Sequence, residues 1–155
     1  MSAPIPQNRA LKRAWILLCL ALAVHVFDEA ATGFLTIYNP TVIALREQLG
    51  WWPMPTFGFG EWLAGLVIGC AVLLLLSGAV ARGATGTRLV AYIFATIMLL
   101  NAASHTLATI FGRTVASVTF ARPAPGFWSS PIMAAAAIYL LVQLRRSRHG
   151  RAGTT

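Results

Sequence analysis

The sequence predicts an all-α, polytopic integral membrane protein: a helical bundle of four transmembrane helices in one domain. Three observations predict it. Of 155 residues, 57% are hydrophobic and only 10% charged, whereas soluble domains carry about 25% charged residues. Four segments approach the roughly 20 apolar residues that a bilayer core demands of a helix. The Lys and Arg residues stand mainly at the ends of those segments. A soluble bundle would need polar helix faces, which the second and fourth segments lack. Disordered chains and ordinary water-soluble enzyme domains are thereby excluded.

Residues 1–13 form a basic N-terminal segment, with Arg9, Lys12 and Arg13 before the first span, about Ala14 to Tyr38. Ala21-Leu22-Ala23 imitates a signal-peptide cleavage site. The apolar stretch continues through His25 to Tyr38, however, which suits a retained anchor. Asn39-Pro40 is expected to end it. The longer connection, Pro40–Gly60, holds an expected short helix at Thr41–Leu49 and then WWPMPTFGFGEW. Trp51, Trp52, Phe57, Phe59 and Trp62 suit an aromatic belt at the membrane–water interface; a partial lid over a site is the alternative.

The second span is Trp62–Ala81 and the third Leu89–Phe111, joined by a turn at Gly83–Thr87. Arg122–Gly126 (RPAPG) leads into the fourth span, about Phe127–Leu144, and residues 145–155 are a basic tail. Gly65, Gly69, Ala134 and Ala137 are expected to let helices approach closely. Cys19 and Cys70 lie inside apolar runs without a CxxC or zinc-type spacing, and read as small buried hydrophobes.

Charge sets the expected orientation. With the N-terminus inside, nine basic residues are inside (Arg9, Lys12, Arg13, Arg82, Arg88, Arg145, Arg146, Arg148, Arg151) and three outside (Arg46, Arg113, Arg122). That bias predicts both termini in the cytoplasm of a plasma or inner membrane. It also accounts for the net charge of +8 without nucleic acid. The Arg145–Arg151 cluster reads as a stop-transfer flank that could also touch anionic lipid headgroups.

Three of the four acids, Asp28, Glu29 and Glu61, fall in or at the edge of expected spans, as do His25 and His105. On insertion scales Asp28 and Glu29 together cost about 5–7 kcal/mol, so they should face the bundle interior and have partners. His25, Asp28 and Glu29 stand at i, i+3 and i+4, within one arc of a helix. Asn101 and His105 stand at i and i+4, with Ser104 beside them. At about 1.5 Å per residue, His25 and Glu29 lie roughly 16 and 22 Å into the first span, and Asn101 and His105 roughly 18 and 24 Å into the third. Glu61 opens the second span at its outer end. All converge on the outer half of the membrane, which predicts one polar site formed by spans one to three.

At these residues the chain resembles the HXXEE family of small integral membrane proteins, named for a His-x-x-Glu-Glu motif and carrying a second motif, Asn-x-x-x-His. This sequence reads His25-Val-Phe-Asp28-Glu29 and Asn101-Ala-Ala-Ser-His105. Asp28 replaces the first Glu, which keeps the charge and shortens its reach. Pro125-Gly126 before the last span also resembles the family pattern. The similarity covers about residues 14–144; it implies a constellation of residues and no particular reaction.

Two His, several carboxylates and an Asn suit a divalent metal such as zinc, iron or manganese. In that reading His25, Glu29 and His105 are the ligands. Asp28 or Glu61 is a fourth ligand or general base, and Asn101 orients a ligand or polarises a substrate. A bound ion would offset buried negative charge and could activate water. The substrate would be lipidic or a small apolar molecule, because the site lies at bilayer depth. The alternatives are metal-free acid/base chemistry on a lipid, proton-linked transport or relay, for which an oligomer could supply further spans, and a polar cluster that only locks helices together. Ser104 and His105 are not a nucleophile–base pair, since sequence neighbours on a helix point apart.

Overall fold

The computed structural model describes the backbone of residues 6–152 and the side chains of residues 9–147. Its helices are α1 (Pro6–Thr32), α2 (Leu35–Leu49), α3 (Phe59–Leu75), α4 (Ser77–Arg82), α5 (Thr87–Phe111) and α6 (Ser130–Ala152). A two-stranded antiparallel ribbon, β1 (Arg113–Val115) and β2 (Val118–Thr119), follows α5. Three helical rods are long and apolar enough to cross a membrane: Arg9–Thr32, Phe59–Arg82 and Thr87–Phe111. Residues 1–5 and 153–155, with the side chains of Arg148 and Arg151 of the basic flank, lie outside the described residues.

The expected fourth span is α6, which runs on through the basic stretch. Its apolar part, Pro131–Val142, covers about 18 Å at 1.5 Å per residue, less than the roughly 30 Å of a hydrocarbon core. For that reason α6 does not meet the same length-and-composition test.

The first span also differs from expectation. It stops at Thr32 and not at Asn39-Pro40. Gly33 takes a left-handed conformation, φ 78°, and the Phe34 N–H reaches back to the Glu29 carbonyl at 3.0 Å. This is the hydrogen bond of a Schellman C-cap, where glycine avoids the steric cost of positive φ. Hydropathy continues across the turn, which hid it. The chain restarts as α2, longer than the expected Thr41–Leu49, with Pro40 inside it.

The packing is led by α6, which lies along both α5 and α1; α1 also packs on α3 and α4. The buried stripe of α1 reads Leu11, Trp15, Leu18, Leu22, His25, Val26 and Glu29, the 3.6-residue period of one helix face. From α6 come Met133, Ala137, Leu140 and Leu144, and from α5 Ala91, Phe94, Ala95 and Ala102. The rings of Trp15 and Phe94 meet at 5.2 Å, and the Trp15 indole N–H donates to the Leu73 carbonyl at 2.8 Å. Ala137 is fully buried, as expected of a packing residue, and Ala134 packs on the core. Gly65 and Gly69 are not helix contacts: nothing lies within 4 Å of the space a Cβ would fill. Cys19 and Cys70 are buried and unpaired.

Candidate metal centre

The buried stripe of α1 changes character at its last turn and a half. His25 and Glu29 are one helical turn apart and lie on the side facing α5, where His105 projects one turn beyond Asn101. All three are buried, with relative exposures of 1%, 5% and 6% for His25, Glu29 and His105. Glu29 Oε1 lies 3.1 Å from His105 Nε2 and 3.4 Å from His25 Nε2. One donor atom from each residue lies within 4.8 Å of the others. The two imidazoles meet edge to face at 4.8 Å.

A hydrogen-bond network fixes the orientation of His25. The Ser129 hydroxyl lies 2.7 Å from Asp28 Oδ2 and 2.8 Å from His25 Nδ1. Its single proton goes to the carboxylate, so His25 Nδ1–H donates to the Ser129 oxygen. His25 Nε2 then carries the lone pair and faces Glu29, His105 and the Asn101 amide nitrogen, which is 3.0 Å away. A histidine held through its outer nitrogen by a carboxylate-linked donor is the arrangement that orients metal-ligating imidazoles.

His105 is placed differently. Its Nε2 is near Glu29, but the direction of approach makes no hydrogen bond. Among the described residues it is the one buried side-chain nitrogen or oxygen without such a partner. A buried polar atom without a well-aimed hydrogen bond costs about 1–3 kcal/mol and calls for an explanation such as a bound ion or a catalytic role.

The last wall is backbone. Gly126 has φ 77°. A Cβ there would lie 2.9 Å from Cε1 of both His25 and His105, and 3.0 Å from Glu29 Cγ, so the loop before α6 presses directly on the three side chains. Gly126 is tied down on both sides. Its N–H donates to Thr32 Oγ1 at 3.2 Å, and its carbonyl accepts from the Ser130 hydroxyl at 2.7 Å.

The other expected site residues separate by role. Asp28 does not face the cluster centre. Its carboxylate also accepts the Ser129 N–H at 2.9 Å, holding negative charge at the positive end of α6, where unpaired N–H groups collect. Pro131 in the same turn has no N–H to satisfy. Asn101 is half-buried beside His25. Glu61 is not part of the site: it is exposed, and its carboxylate accepts the Gly58 N–H at 3.2 Å, closing the start of its own helix. The site is therefore formed by α1, α5 and the loop before α6; the second span contributes no member of the cluster. Sequence reasoning missed Ser129 entirely and took Gly126 only from a resemblance.

A cavity of about 290 Å³ opens beside the cluster, with Asn101, Ser104 and His105 on one wall. Phe34, Ile37, Tyr38, Ala108 and Phe120 supply apolar walls. Phe34 links the cavity to the aromatic segment: its ring lies 5.9 Å from His105 and stacks on Trp62 at 5.7 Å. Tyr38 stacks on Phe57 at 5.9 Å. The Asn39 amide holds Phe57 by two hydrogen bonds, donating at 2.9 Å and accepting at 3.1 Å. Burial pushes the Tyr38 phenol up from its ordinary value, partly offset by Arg46, so Tyr38 is uncharged near neutral pH. Comparison with protein-family models, with curated proteins and with solved structures found no match to this chain.

Proposed function

We propose that this is an integral membrane protein that holds a divalent metal ion through His25 Nε2, Glu29 and His105 Nε2, and uses it in chemistry on a lipidic or small apolar substrate. One observation carries the reading: two imidazoles and a carboxylate are buried within ligand distance of one another, and His105 Nε2 has no hydrogen-bond partner. Tetrahedral ligation with bonds of about 2.0–2.2 Å would separate the ligands by roughly 3.3–3.6 Å. The contacts of 3.1 and 3.4 Å lie close to that range, and the whole donor set lies within 4.8 Å, so the side chains would shift to close on an ion. Two His and one carboxylate also leave open positions, a pattern that suits zinc or non-haem iron.

When bound, the ion would supply a Lewis acid at the cavity wall. The chain's own residues do the rest. Ser129 and Asp28 hold the His25 tautomer, and Gly126 and Phe34 exclude water from the cluster. An ion on His25 Nε2 would replace the Asn101 amide there, freeing that amide to orient a substrate oxygen in the cavity.

A transmembrane proton relay is less well supported. Beyond His25 the buried face of α1 is Leu22, Leu18 and Trp15, with no side chain suited to carry a proton. A purely structural cluster leaves the orphaned His105 nitrogen unexplained.

The same reading takes α6 as a fourth crossing. The loop 124–129, buried except at Phe127 and Trp128, extends its path, and non-helical backbone is tolerated at membrane depth when protein covers it. Both termini are then cytoplasmic, which a reporter fused to the C-terminus tests: activity of a reporter that works only outside would overturn it.

The direct test is metal content by mass spectrometry, on protein purified in mild detergent without metal-affinity resin. Near-stoichiometric zinc, iron or manganese is expected in the wild type and none in His25→Ala or His105→Ala. A folded wild type that takes up none of the three after reconstitution would overturn the proposal.

A further inference from the structure

The cavity beside the cluster narrows the substrate class; this inference rests on the functional reading above, because it concerns the same site. We infer that the cavity takes one apolar chain, or the end of one, bearing an uncharged oxygen function such as an alcohol, aldehyde or ketone, with that oxygen at Asn101, Ser104 and His105.

Size sets the first limit. About 290 Å³ accommodates on the order of ten non-hydrogen atoms at roughly 30 Å³ each. That is one short chain or one end of a longer one, and less than a two-chain lipid. Shape sets the second. Phe34, Ile37, Ala108 and Phe120 give apolar walls on several sides; Asn101, Ser104 and His105 of α5 form one polar patch, and the other lining hydroxyls are already used, Thr41 with Thr114 and Tyr38 with the Pro55 carbonyl. A ligand that fits therefore has an apolar body and a single polar end.

Charge sets the third limit. No Lys, Arg, Asp or Glu lines the cavity, and its Tyr38 is uncharged. A carboxylate or phosphate there would lose hydration and meet no cationic side chain, with only an ion already part-neutralised by Glu29 as counter-charge, a cost that buried charges avoid by fuller pairing. An uncharged oxygen loses little and gains donors. The Ser104 hydroxyl gives its proton to the Asn101 carbonyl at 2.7 Å, so its oxygen is left to accept from an alcohol. His105 stands on the same wall, its Nε2 taken by the proposed ion.

The test uses the full chain in lipid nanodiscs and a decan-1-ol carrying a mid-chain diazirine. After irradiation, labelled peptides are mapped by mass spectrometry, with decan-2-one and decanoate as competitors at neutral pH. Saturable label on Phe34, Ile37 or Phe120 is expected. Decan-2-one should displace it, and decanoate should be at least about tenfold weaker. Ala108→Trp, which fills the cavity, should lower the label about tenfold or more, whereas Ile132→Trp on the lipid-facing side of α6 should not. Equal competition by decanoate, or label spread over exposed residues such as Ile93 and unsaturable, would overturn the inference. The wild-type competition decides it even if Ala108→Trp does not fold. Metal content of the same samples separates the two readings. Metal-loaded protein without saturable label sinks the substrate class alone; saturable label on metal-free protein sinks the metal reading alone.

Discussion

The two halves of the α1–α5–α6 bundle use the same three helices for opposite ends. Toward the start of α1 the interface is dry: Trp15 and Leu18 meet Phe94, Ala91, Leu140 and Leu144. Toward its end the same stripe carries His25 and Glu29, and the facing positions are Asn101, His105 and Ser129. In hydrocarbon, apolar side chains gain little from leaving lipid, so the dry half holds by close packing. The alanines at positions 14, 91, 95 and 137 show no exposure and let the backbones approach. The polar half then needs no large stability of its own. Its donors are aimed by a frame that is already rigid.

That division can be broken at four places. The largest effect on the site short of removing a ligand is expected from Gly126→Ala. It strains a positive φ at about 1–2 kcal/mol and drives a methyl group into both imidazoles. Metal affinity, read by competition with a chelator, should fall at least about a hundredfold; unchanged affinity would mean that the loop does not close the site. Ser129→Ala removes the link from Asp28 to His25 and should weaken metal binding about 10–100-fold with helical content kept. An effect confined to stability would reduce Ser129 to a helix cap. Leu140→Ala reverses the pattern. It should cost about 2 kcal/mol of stability through lost packing, measured by unfolding in detergent, with metal stoichiometry intact. Loss of metal there would show that the halves are not separable. The smallest effect is expected from Glu61→Gln, since an exposed first-turn amide still caps. Stability should stay within about 0.5 kcal/mol and metal binding should not change.

The helices and the core of the site were legible because both rest on periodicity. His25 and Glu29 at i and i+4, and Asn101 and His105 at i and i+4, mark one face each, and the structure brings the two faces together. Glu61 was misplaced because an acid at a span edge looks the same whether it faces a partner or its own helix end. Its position three residues after Gly58 was the available clue to the second. Ser129 and Gly126 carried no periodic signal: they sit in an irregular loop, and their meaning comes from contacts about a hundred residues away. The break at Gly33 had a readable sign, a glycine followed by an apolar residue, but the apolar run Phe34–Tyr38 masked it. The β1–β2 ribbon is too short to show alternation.

The hydrogen bonds from Ser129 to Asp28 span 101 positions in sequence, and that from Asn101 to His25 spans 76. Synthesis runs from the N-terminus, so α1 is made with its acids and histidine long before the groups that satisfy them. Until α6 is made, Asp28 has neither the hydroxyl nor the helix end that neutralises its cost. The helix α1 thus depends for its polar partners on segments made after it. A chain stopped after α5 would leave the Asp28 carboxylate without the Ser129 N–H and hydroxyl that it accepts from in the whole protein.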